Sequence, residues 1–208
     1  MKTFPTPYQL DVFKEIVNTG VGKAAASLNQ MLDSHIELDV PSIVIFQLDE
    51  PGEELGAFLD TDLSCVQLQF SGSFGGTAAL VFPPQSAVKL VATLTGEDPQ
   101  APYLNAVMAG TLNEVGNIVI NGVIGTIGNI LHKPFDFSIP NYLEGRLQEL
   151  LNLHQPSPGL TVLLIRTRFQ IQDRQIEGNI FLIFELGSFD AFFGALEDLA
   201  APVSISSS

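Results

Sequence analysis

An α+β fold, with a sheet packed against long helices, is predicted by three features of the chain: two long apolar stretches with helical spacing, a set of β-rich runs bounded by turn residues, and the same order of elements in both halves. The halves meet near Glu97 to Pro102, which gives repeats over about 8–97 and 103–200 within one domain spanning 1–202. The serine-rich residues 203–208 read as a disordered tail.

Each half opens with a helix, roughly Gln9 to Leu32 in the first and Asn105 to Leu131 in the second, ending in Met31-Leu32 and Ile130-Leu131. Strands follow. In the first half they are Ile36 to Gln47, which contains Pro41, and then Cys65 to Ser71 and Thr77 to Phe82, joined as a hairpin by SGSFGG. In the second they are Phe135 to Ile139, Leu160 to Gln170 and Glu177 to Glu185. A helix closes each half: Gln85 to Leu94 after Pro83-Pro84, and Phe189 to Leu199 after a Ser188 cap, with Phe189, Phe192, Phe193 and Leu196 on one stripe. Two α-β-β-β-α units result. The second half also predicts an extra helix at NYLEGRLQELLNL, with Leu143, Leu147 and Leu150 on one side, where the first half has an acidic loop from Asp49 to Asp62. That leucine stripe suits either core packing or the docking of a partner.

The 208 residues are 46% hydrophobic and only 15% charged, so there is apolar material for a sizeable core. A net charge of −14 argues against nucleic-acid binding, which needs clustered Lys and Arg, and favours a protein partner. One cysteine, Cys65, cannot form an internal disulfide, and the N-terminus lacks the layout of a signal peptide, so the expected location is cytoplasmic. The run Ala106 to Leu131 is long enough to span a membrane. It carries Glu114 and the amides of Asn113, Asn117, Asn121 and Asn129, however, so a helix buried in a globular protein is the better reading.

The first helix places Asp11, Glu15 and Asn18 within a sector of roughly 60° on one face. The second repeats the Glu-x-x-Asn spacing with Glu114 and Asn117. In both halves 22 residues separate the asparagine from a proline, Pro41 or Pro140. A solvated helix face would explain one such pair. Two in register, on helices otherwise rich in apolar and small residues, point to polar groups exposed for a purpose.

Other motifs lead nowhere. TGVGKAAA imitates a dinucleotide fingerprint and a P-loop, but it lies within a helical pattern, with Val17 at the first P-loop glycine and Ala24 at the Ser/Thr position. Close helix packing accounts for Gly20 and Gly22 more simply. His35, His132 and His154 are scattered without ligand spacing, and no metal site is predicted.

With Asp11, Glu15, Asn18 and Pro41, the first half resembles the CheC, CheX and FliY family of bacterial chemotaxis phosphatases, whose motif is Asp or Ser, three residues, Glu, two residues, Asn, 22 residues, Pro. The second half matches it at Glu114, Asn117 and Pro140 and departs from it at Gly110. Two motifs in one chain look like CheC.

The resemblance implies a hydrolase for the aspartyl phosphate of a CheY-like response regulator in two-component signalling. Glu15, Asn18, Glu114 and Asn117 would be catalytic. Asp11, Leu143, Leu147 and Leu150 would be partner-binding. Asn18 and Asn117 would hold the attacking water, since a neutral amide both donates and accepts without titrating. Glu15 and Glu114 would pair with a cation on the receiver. The chain would need no cofactor of its own, Mg2+ being carried by the receiver. The alternative is a non-catalytic protein that binds the regulator or the receptor deamidase CheD.

Overall fold

Helix α1 (Pro7–Leu32) begins two residues before its expected start because Thr6-Pro7-Tyr8-Gln9 forms a capping box. The Gln9 backbone N–H donates to Thr6 Oγ1 (3.2 Å), and the Thr6 N–H donates to Gln9 Oε1 (2.6 Å). Pro7, lacking an N–H, occupies the first helical position, where none is needed. The structure, a computed structural model, describes residues 5–32, 35–47, 60–100, 104–150, 161–171, 174–185 and 187–200. The expected tail at 203–208 lies outside them.

After α1 come strands β1 (Ile36–Gln47), β2 (Asp62–Gly72) and β3 (Gly76–Phe82), and then α2 (Pro84–Thr95). The second half runs through α3 (Leu104–Leu131), β4 (Phe135–Phe137), β5 (Asn141–Arg146), a helical turn α4 (Leu147–Leu150), β6 (Thr161–Ile171), β7 (Arg174–Phe184) and α5 (Ser188–Ala200). The α+β class is as the sequence predicts.

All strands join one antiparallel sheet in the order β1-β6-β7-β3-β2-β4, with β5 also on β2. The first strand of each half therefore pairs with the second strand of the other half, and the third strands, β3 and β7, pair at the centre. Element bounds keep step as well. β1 and the β4–β5 segment, like β2 and β6, are separated by the same offset that separates Asn18 from Asn117.

Both motif prolines mark a break in pairing. Asp39 faces Arg168 and Ser42 faces Arg166, so three steps along β1 meet two along β6 across Pro41. In the other half Phe137 faces Phe70 and Asn141 faces Gln67, so four steps meet three across Pro140. Each segment carries one extra residue beside the proline, which has no N–H for the ladder and is tolerated at an edge-strand irregularity. Ser138 bridges the second break by accepting the Gln69 N–H at its Oγ (2.9 Å).

The extra helix expected at 141–153 is corrected. Residues 141–146 form β5, only Leu147–Leu150 is helical, and 151–160 lie outside the described residues. Leucine spacing suggested a helix, but β2 needs a partner along this stretch, and satisfying its backbone groups outweighs the propensity of a short segment. Leu147 and Leu150 are buried on the sheet among Leu63, Cys65, Val81, Leu164 and Phe181, with Leu143 packed against that cluster. They are core residues here and do not form an exposed docking stripe.

The opposite sheet face is covered by α1, α2, α3 and α5, which bury Phe13, Val17, Leu28, Leu90, Val119, Val123 and Phe192 against Phe70, Leu80, Leu163 and Phe169. Cover on both faces explains why residues 78–82, 162–165 and 180–184 read as unbroken apolar runs, while the far ends of β6 and β7 alternate. Phe192 anchors the helical layer, stacked on Phe184 at 5.3 Å and edge-on to Phe13 at 5.5 Å.

Candidate functional site

The register of α1 follows from its apolar stripe. Phe13, Ile16, Val17, Val21, Ala24 and Leu28 are buried, which turns Asp11, Glu15 and Asn18 outward to solvent. Thr19 Oγ1 donates to the Glu15 backbone carbonyl at 2.8 Å and leaves the Glu15 carboxylate free of it. Asn18 makes no side-chain hydrogen bond with the described residues, so its donor and acceptor both face outward. Tyr8, 60% exposed, sits one turn before Asp11 on the same side, and no motif or spacing in the sequence marks it.

On α3 the same positions have different surroundings. Glu114 is exposed, Asn117 is half-buried, and Asn121 Nδ2 donates to Asn117 Oδ1 at 2.7 Å. Asn113 Oδ1 and Asn121 Oδ1 are buried with no hydrogen-bond partner. At Gly110 a Cβ would meet nothing within 4 Å, so space does not account for the missing Asp or Ser.

Long and apolar enough to span a bilayer, α3 here packs against both α1 and the sheet, with a Cβ at Gly116 falling 2.4 Å from Val66 Cγ1 on β2. The two motif helices touch backbone to backbone. A Cβ at Gly20 would lie 2.8 Å from Val123 Cα and 2.9 Å from the Gly122 carbonyl, and one at Gly122 would lie 2.9 Å from Ala24 Cβ. Close packing thus explains Gly20, as expected. It does not explain Gly22, whose Cβ would meet nothing within 4 Å. Gly20 meets Val123 and Thr126 while Ala24 meets Gly122, so the helices cross in opposite sense and the two Glu-x-x-Asn pairs lie on opposite sides of the crossing.

Glu15, Asn18 and Glu114 are exposed and Asn117 is half-buried, so among the described residues the two motifs form open patches on helices. Such a surface cannot enclose a small substrate, but it can present an amide and a carboxylate to a group held on another macromolecule. Among the described residues no cluster of His, Cys, Asp or Glu could hold a metal ion. Cys65 is buried, and burial pushes its thiol up to about 12, the wrong direction for a nucleophile. Tyr142 on β5 is likewise raised to about 12 by burial and by its hydrogen bond to Glu144, which places it with the scaffold.

The chain resembles known proteins in sequence and in fold. Residues 64–158 match the family model described as chemotaxis phosphatase CheX. The CheY-P phosphatase CheC of Bacillus subtilis is 22% identical over 90% of this chain and 93% of its own length. The structure of FliY from Thermotoga maritima superposes with a TM-score of 0.73 at 15% identity, covering 95% of this chain and all of that one. The FliM middle domain from H. pylori has the same fold, with a TM-score of 0.60 at 13% identity, covering 91% of this chain and 99% of that one. The chain is similar in sequence to chemotaxis phosphatases of the CheC and CheX kind and shares the fold of FliY and the FliM middle domain.

Proposed function

We propose that this protein hydrolyses the aspartyl phosphate of a CheY-like response regulator, with Asn18 and Asn117 placing the attacking water and Glu15 and Glu114 fixing the receiver. The observation that carries this reading is the exposed Glu15–Asn18 pair. It is held on one face of a long helix, with the asparagine amide uncommitted to any described residue. The relative named CheY-P phosphatase supports the substrate class.

In the proposed step, water attacks phosphorus in line with the acyl oxygen, the bond between phosphorus and that oxygen breaks, and the aspartate carboxylate and inorganic phosphate are released. The amide oxygen of Asn18 or Asn117 accepts a hydrogen bond from the water, which turns a water lone pair toward phosphorus. Charge on the transferring group would be met by Mg2+ and a lysine of the receiver, so this chain supplies position and no metal. Glu15 or Glu114 pairs with that lysine across the contact.

Charge reversal separates docking from chemistry. The combined Glu15→Lys and Glu114→Lys variant is expected to lose affinity for a receiver activated with a phosphoryl mimic by roughly tenfold or more. Asn18→Ala with Asn117→Ala should keep that affinity within about twofold while losing turnover. Titration of the labelled receiver reads both. Equal binding by the charge-reversed variant would remove the docking role of the glutamates.

A further inference from the structure

The two motifs match at their glutamate and asparagine, yet the residue one turn beyond the asparagine differs: Gly22 in α1 and Asn121 in α3. We infer that Asn121 is a positioning residue that fixes the orientation of the Asn117 amide, so the second site is pre-set where the first is free to rotate. This rests on the reading of the asparagines given above.

The geometry supports a clamp. Asn121 Nδ2 donates to Asn117 Oδ1 at 2.7 Å, within the range of a well-formed hydrogen bond. Spacing of four residues puts the side chains one above the other, and the Asn117 amide can no longer turn about its last torsion without breaking the contact. Asn121 keeps its own Oδ1 buried and unpaired. A position serving packing alone would be filled by an apolar side chain, as at the neighbouring Val119, Ile120 and Val123. With one lone pair of Asn117 Oδ1 taken, the second remains for the water, and the Nδ2 protons are left to point away from Asn121 toward solvent.

Asn18 lacks such a partner, since Gly22 has no side chain. It must lose rotational freedom each time it engages the substrate. Gly22 also has open space where a side chain would stand, so an asparagine can be introduced there.

The test uses full-length chains in which one site is silenced. In an Asn18→Ala background, Asn121→Ala should lower kcat about three- to tenfold, the equivalent of releasing one rotor, with KM for the phosphorylated receiver changing less than about twofold. Asn121→Asp should cost more than Asn121→Ala. A carboxylate can only accept, so it would draw the Asn117 Nδ2 inward and reverse the amide. In an Asn117→Ala background Asn121→Ala should change nothing, and Gly22→Asn should raise kcat.

A readout free of activity is the hydrogen exchange of the Asn121 side-chain amide by NMR, which should be slowed in the intact chain and released by Asn117→Ala but not by Asn18→Ala. Full activity of Asn121→Asp in the Asn18→Ala background, or an Asn121 amide that exchanges freely, would overturn the inference. If the intact chain accelerates no phosphate loss, the proposed function fails, and the amide exchange alone then decides whether the clamp exists.

Discussion

Gly110 is the residue at which the two sites diverge in composition, and its surroundings say what a change there would do. A Cβ would enter open space, and glycine in the interior of α3 costs roughly 1 kcal/mol of helix stability relative to alanine. Gly110→Asp should therefore fold at least as well and add a carboxylate one turn before Glu114, as Asp11 stands before Glu15. Measured with the first site silenced by Asn18→Ala, its KM for the phosphorylated receiver should fall severalfold at constant kcat. No change would show that Asp11 contributes nothing to docking. At this scale the sequence was legible wherever periodicity speaks: the outward direction of Glu15 and Asn18 follows from the spacing of Phe13, Val17 and Val21. Asn121 was visible only as an interruption in an apolar run. Its pairing with Asn117 becomes apparent once the four-residue spacing is read as contact.

Among the elements, the crossing of α1 and α3 separates two glycines that look alike in TGVGK. Gly20→Ala gains helix propensity but drives a methyl to 2.8 Å from the Val123 Cα, so the backbones must part. A net loss of about 1–2 kcal/mol is expected. Gly22→Ala meets nothing and should gain about 0.5–1 kcal/mol. Urea unfolding of the two variants gives the comparison, and loss of stability in both would contradict the assigned packing. The segment 141–146 shows where element reading went astray. Its leucine spacing imitates a helix, yet the offset that separates Asn18 from Asn117 also separates it from the end of β1, and the structure makes both segments strand. Local pattern is weak over so few residues, and the bare edge of β2 decided the outcome.

Across the whole molecule, the exchange of first strands makes the sheet a joint product of both halves and sets the two motif helices side by side on one of its faces. Sequence order gave the elements of each half, but no local signal states that β1 will pair with β6 or β5 with β2. Those partners are far apart in the chain, and their choice depends on how all the apolar faces close together. What the fold achieves is two rigid helix faces, each carrying a carboxylate and an amide at fixed spacing. The most direct test of what they do is the rate of phosphate loss from a phosphorylated CheY-like receiver, with the intact chain compared with the folded Asn18→Ala, Asn117→Ala double variant. Water placement by the asparagines predicts clear acceleration by the intact chain and a loss of about a hundredfold or more in the double variant. Acceleration that survives in the double variant, or none from the intact chain with its cognate receiver, would contradict it.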